Sequence, residues 1–209
     1  HTRYWRDWSS DVCSSDLTER ARSYRTHAGL PALAGLGSME QAMQPGLPVA
    51  ESVRRLKRHH HVLRRLHFIW IARITAEPVY ELKMAFSLHA HLAAEHVSAL
   101  RARVGEMREP PLGLEDTPHP GLALLLDEIL AAPDTAELLL GLYEVVLPGL
   151  RDAMERHRVE THVLADQPTR RVLRFAVSEI DEMLDWGRAA ISAVVSPEDR
   201  MRASEARRT

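Results

Sequence analysis

Residues 166–191, DQPTRRVLRFAVSEIDEMLDWGRAAI, decide the fold. Asp166 is the kind of residue that caps a helix N-terminus, and Pro168 belongs in a first turn, where its missing N–H is no loss. Beyond them Leu173, Ala176, Ile180, Met183, Gly187 and Ile191 recur at spacings of three and four, the period of one helix face. Arginines and acids fill most of the positions between. A helix this long and this one-sided needs partners of similar length.

The rest of the chain supplies them. Residues 51–76 place Leu56, His60, Leu63, His67, Trp70 and Ile74 on one stripe. Glu77-Pro78 reads as the start of a second helix reaching about residue 109, with Leu82, Phe86, His89, Ala93, His96, Leu100, Val104 and Met107 on its stripe. The proline-rich EPPLGLEDTPHPG, 109–121, is a loop, and a short helix over 122–132 follows it. Asp134, with Glu137 three residues on, resembles a capping box. The helix it opens carries Tyr143, Leu147, Leu150, Met154, His157, Thr161 and Leu164, and Pro148 predicts a kink in it. Residues 18–50 read as a linker or truncated N-terminal region and residues 196–209 as a polar, frayed tail, around a helical domain at 51–195. The expected class is all-α, four long helices with a short extra one in a long middle crossover.

Composition narrows the function. The 209 residues carry 27 Lys+Arg against 29 Asp+Glu, a formal net charge of −2, too balanced for a generally basic nucleic-acid binder. No run of about 18 apolar residues offers a membrane span. The basic run RRLKRHHHVLRR, 54–65, has no interleaved aromatic platform and reads as a solvated helix face. Of its consecutive His59, His60 and His61, only one can face any given site. Glu179, Asp181, Glu182 and Asp185 read as rim charges. Neither a glycine-rich phosphate loop nor a Ser-His-Asp order is present.

Residues 1–17, HTRYWRDWSSDVCSSDL, have no apolar period and resemble the translation of a sequencing-library adapter. Setting them aside removes Cys13, the only cysteine, and with it any thiolate nucleophile or Cys-ligated metal. The absence of disulfides then fits a cytoplasmic location.

Two stretches, AEHVSALRARVGEMREPPLGLEDTP (94–118) and DQPTRRVLRFAVSEIDEMLDWG (166–187), resemble bacterial ferritin-like proteins of uncharacterised activity. The resemblance covers residues 63–191 and implies a ferritin-like four-helix bundle. The wider superfamily implies a di-iron or di-manganese centre, built from one Glu on each of two helices and a Glu-x-x-His on each of the others. Three positions before His89, His91, His96, His157 and His162 stand Phe86, Leu88, Ala93, Met154 and Val159; Lys57 and Arg64 precede His60 and His67. Only Asp116, before His119 in the proline-rich loop, is acidic there. In the last helix the inward pair is Ile180 and Met183. The metal motif is missing.

His67, His89, His96 and His157 nevertheless fall on core stripes. The favoured reading is neutral core histidines hydrogen-bonded to each other, to Tyr143 or to acidic neighbours. The alternative is an altered metal site on these four, with Glu160, Glu95 or Glu155 turned inward. The function expected is a ferritin-like helical module with a degenerate metal site, binding or structural, with no cofactor. The alternative is an atypical di-iron-type oxidoreductase using iron or manganese. A homodimer through the helix faces is a third reading.

Overall fold

The computed structural model describes residues 29–36, 38–107, 114 and 116–206; the adapter-like segment 1–17 lies outside them. Described structure is almost wholly helical, and the chain divides into two compact units after Gln44. In the first unit an isolated bridge joins Leu33 and Leu36, and the one-turn helix α1, Met39–Met43, is capped by Ser38. The second unit holds α2 (Val49–Ile74), α3 (Tyr80–Glu106), α4 (Pro120–Leu130), α5 (Thr135–Leu140), a π-helical segment (Gly141–Val146), α6 (Leu147–Glu160), α7 (Gln167–Val194) and α8 (Pro197–Ala206). No helix among the described residues is long and apolar enough to cross a membrane.

The caps appear where the sequence places them. Asp134 accepts the Glu137 N–H at 2.9 Å, and Asp166 accepts the Thr169 N–H at 3.2 Å, with Pro168 in the first turn of α7. The second long helix differs, because Tyr80 rather than Glu77 opens it. Glu77 is instead a buried carboxylate that accepts the Val79 N–H at 3.0 Å and the Thr135 hydroxyl at 2.8 Å. It ties the α2–α3 turn to the start of α5. The expected frayed tail is also helical: α8 is held by ion pairs from Arg200 to Glu144 and from Arg202 to Asp134.

Neighbouring long helices run antiparallel. His67 of α2 reaches the Ala90 carbonyl of α3 near their shared turn. Arg103, at the end of α3, binds Asp166 and Thr169 at the start of α7. Arg151 of α6 meets Asp181 of α7, and Ser52 of α2 meets His157 at the end of α6. These pairings leave α3 and α6 pointing the same way, so the chain between them must travel back along the bundle. That return includes α4, which lies on α2 through Arg65–Asp127 and through Arg73 bonds to the Leu130 and Ala132 carbonyls.

Between these helices sits one continuous apolar core, with Trp70, Phe86, Leu100, Leu126, Leu139, Met154, Leu173 and Ile180 all sealed from water. Pro148 has its expected effect in a specific form: the preceding turn widens into the π segment, where Leu147 N–H bonds to the Leu142 carbonyl five residues back. Leu164, expected on the stripe, is 41% exposed because α6 stops at Glu160.

Two glycines of these helices, Gly187 buried and Gly149 exposed, differ in what surrounds them. A Cβ built on Gly187 would overlap the Tyr143 ring, whereas one on Gly149 meets nothing within 4 Å. Gly187→Ala is expected to lower stability to urea by about 1–3 kcal/mol through overpacking. Gly149→Ala should leave it unchanged or raise it by roughly 0.5–1 kcal/mol, the helical preference of alanine.

Candidate functional site

The four stripe histidines do not meet at one place. His67 is only half-buried, on the α2–α3 seam, with Nδ1 2.9 Å from the Ala90 carbonyl oxygen. His96, buried, holds Nε2 2.8 Å from Glu179 Oε2 on α7. Burial keeps its imidazole below the usual range, with the Glu179 carboxylate pulling the other way. Glu160 is exposed and ion-paired to Arg55 at 2.7 Å rather than turned inward.

His89 lies at the centre of an aromatic cluster. Its Nδ1 shares a 2.8 Å hydrogen bond with the Tyr143 hydroxyl, and its ring packs edge-on to Trp70 and Trp186 at 5.6 and 5.5 Å. Burial lowers the His89 pKa to about 4 and pushes the Tyr143 phenol up. Both groups are therefore neutral at pH 7. Edge-on contacts of this kind add about 0.5–1.5 kcal/mol each to the area term.

The most connected group is one the sequence reading missed. Ser52 Oγ lies 3.1 Å from His157 Nε2, and His157 Nδ1 lies 3.3 Å from His59 Nε2. Ser52, His59 and His157 are 1%, 3% and 0% exposed. Burial first, then the neighbouring His157, lowers His59 to about 3; burial first, then Arg55, lowers His157 to about 4. The signal was present in the sequence: Ser52, Leu56, His59 and Leu63 follow spacings of four, three and four. All of His59, His60 and His61 are buried, so the basic run 54–65 is not a uniformly solvated face.

A serine beside two imidazoles raises the question of nucleophilic catalysis. Here the serine is the sealed end of the chain and cannot meet a substrate. The end that reaches open space is His59, which lines two clefts on the bundle's outer surface. One is apolar, about 230 Å³, between α2, α4 and the π segment and α6. The other is polar, about 270 Å³, and carries Arg54, Arg55, Arg58 and Arg156 with Glu51 and Glu160.

The residues do not fit a dinuclear carboxylate metal centre. Glu77 is the only buried carboxylate among the described residues, and the Val79 N–H and Thr135 hydroxyl already occupy it. Ile180 and Met183 fill the core face of α7 where inward ligands would stand. Among the described residues no three His, Cys, Asp or Glu side chains gather as a metal site would require. Comparisons with family models, curated proteins and solved structures gave no match.

The depressed imidazoles give a testable acid response. Their folded pKa values lie below the unfolded value near 6.5, so folding favours the neutral form. Their contribution is complete above about pH 6.5 and is lost as pH falls toward 4. Urea denaturation between pH 6.5 and 5 should show a fall of about 2 kcal/mol for each of His59, His89 and His157. The His89→Phe, Tyr143→Phe double variant removes one imidazole without orphaning its partner, and its fall should be smaller by about 2 kcal/mol over that interval. An unchanged slope would refute the assignment to His89.

Proposed function

We propose that this chain is a four-helix bundle of ferritin-like connectivity acting as a binding or structural module, with interior histidines that serve as hydrogen-bond partners. One observation carries the reading: His67, His89, His96 and His157 each have a different protein partner, on different seams of the bundle. For His89 and His157 these hydrogen bonds satisfy the buried-polar requirement without an ion, and the Glu179 carboxylate stands against the buried His96. The connectivity supports it too, since two antiparallel helical pairs joined by a crossover on α2 is the ferritin-like order.

A binding role has a physical basis in the two clefts at His59, which lie outside the sealed core. A metal-dependent oxidoreductase on the four histidines with Glu160 would need ligands that converge. The measured quantity that decides is metal content of protein purified without a histidine tag. The expected result is sub-stoichiometric iron and manganese, and a melting temperature unmoved by adding either ion, because a ligand of the native state must stabilise it. Stoichiometric metal that disappears in the His96→Ala, His157→Ala double variant would overturn the proposal.

A further inference from the structure

The two clefts beside His59 are adjacent, and together they make a groove with an apolar and a polar end. Both are lined by Arg58, His59 and Ala153, so the apolar cleft and the polar one lie side by side across these three residues. Val62, Leu125, Val146 and Leu150 wall the apolar part, and Gly149 forms a stretch of its floor. Together the two volumes are on the scale of small-molecule pockets, roughly 300–1,000 Å³.

The polar end has charge to spare. Arg54 is taken by Glu51, and Arg55 by Glu51 and Glu160. Four arginines therefore face two carboxylates, and neither Arg58 nor Arg156 has an ion-pair partner among the described residues. Arg58 Nε is also buried with no hydrogen-bond partner. A buried charged donor left unmatched is destabilising, and an anion in the polar cleft would relieve it. His59, held neutral by its surroundings, adds no positive charge but offers a polar edge at the junction.

We propose that this groove binds a small anionic amphiphile, its carboxylate or phosphate head at Arg58 and Arg156 and its alkyl chain between α2, α4 and α6. The head would exchange the unpaired guanidinium for a charge-assisted contact, and the chain would cover apolar surface that now faces solvent. The site gives the binding module a ligand class and rests on that reading. It does not depend on the histidines' partners in the core.

Isothermal titration with decanoate, decyl phosphate, decanol and acetate tests it on the full chain. One equivalent of decanoate or decyl phosphate is expected to bind, with whichever binds identifying the head group. Decanol should bind at least tenfold more weakly, for want of the charge, and acetate likewise, for want of the chain. Arg58→Gln should weaken binding tenfold or more. Gly149→Leu should do the same by filling the apolar cleft, into open space rather than against a neighbour. Circular dichroism melting of both variants confirms that they fold. Absence of binding by either anion at millimolar concentration, or equal binding by decanol, would overturn the proposal, as would binding indifferent to both substitutions. Failure here with metal-free protein leaves the module reading standing, whereas stoichiometric metal removes that reading whatever decanoate does.

Discussion

Pro148 has no hydrogen to give the carbonyl of Glu144, and its ring crowds the turn before it. The chain meets this by widening residues 141–146 into a π segment in which the Leu147 N–H bonds to Leu142. That turn carries Tyr143 to the centre of the bundle, against His89 of α3 and Trp186 of α7. Gly187 is the matching concession on α7, for no larger residue leaves room for the phenol ring. Three helices thus meet at one aromatic contact set by a missing backbone donor. Wide turns of this type recur at functional sites in other helices, and this one also walls the apolar cleft through Val145 and Val146.

Each of the four stripe histidines marks a different seam. His67 joins α2 to α3, His89 joins α3 to the π segment, His96 joins α3 to α7, and His157 joins α6 to α2. A hydrogen bond of this kind contributes about 1 kcal/mol net, while leaving its buried partner unmet costs up to about 3. The larger figure is the one that matters for register. Sliding either helix by one turn would strand an imidazole in an apolar interior, so the pairs penalise wrong packings more than they reward the right one. Arg103, bonded at once to Asp166, Thr169 and Glu106, does the same at the end of the α3–α7 seam.

Much of this frame can be read from residue order. The stripe of α7 is buried at every position named, and Asp134 and Asp166 cap as their types suggest. The periodicity of three and four reports which face is apolar, so it placed His89, His96 and His157 in the interior. It does not report which neighbour each faces, which depends on the rotation and pairing of helices far apart in the chain. Ser52 and His157 are separated by 105 positions. His67 shows a second limit: it lies on the stripe's edge, and near its end α2 leaves that edge half open. Glu77 was legible only as a helix start, since its partner Thr135 lies across the crossover. The burial of all three of His59, His60 and His61 had a similar cause, because a stripe assumes one covered face and α2 is covered on several.

The Ser52–His157–His59 chain has a direction. A neutral imidazole carries one N–H and one bare nitrogen, so it donates on one side only when it accepts on the other. If the Ser52 hydroxyl donates to His157 Nε2, then His157 Nδ1 donates to His59 Nε2, and the hydrogen of His59 sits on its far nitrogen. If His59 donates instead, both steps run backward and the serine oxygen becomes an acceptor. The three side chains share a single orientation of their dipoles, reversed together or not at all. What touches the far edge of His59 in the groove therefore fixes which way a hydroxyl points at the sealed end of the chain.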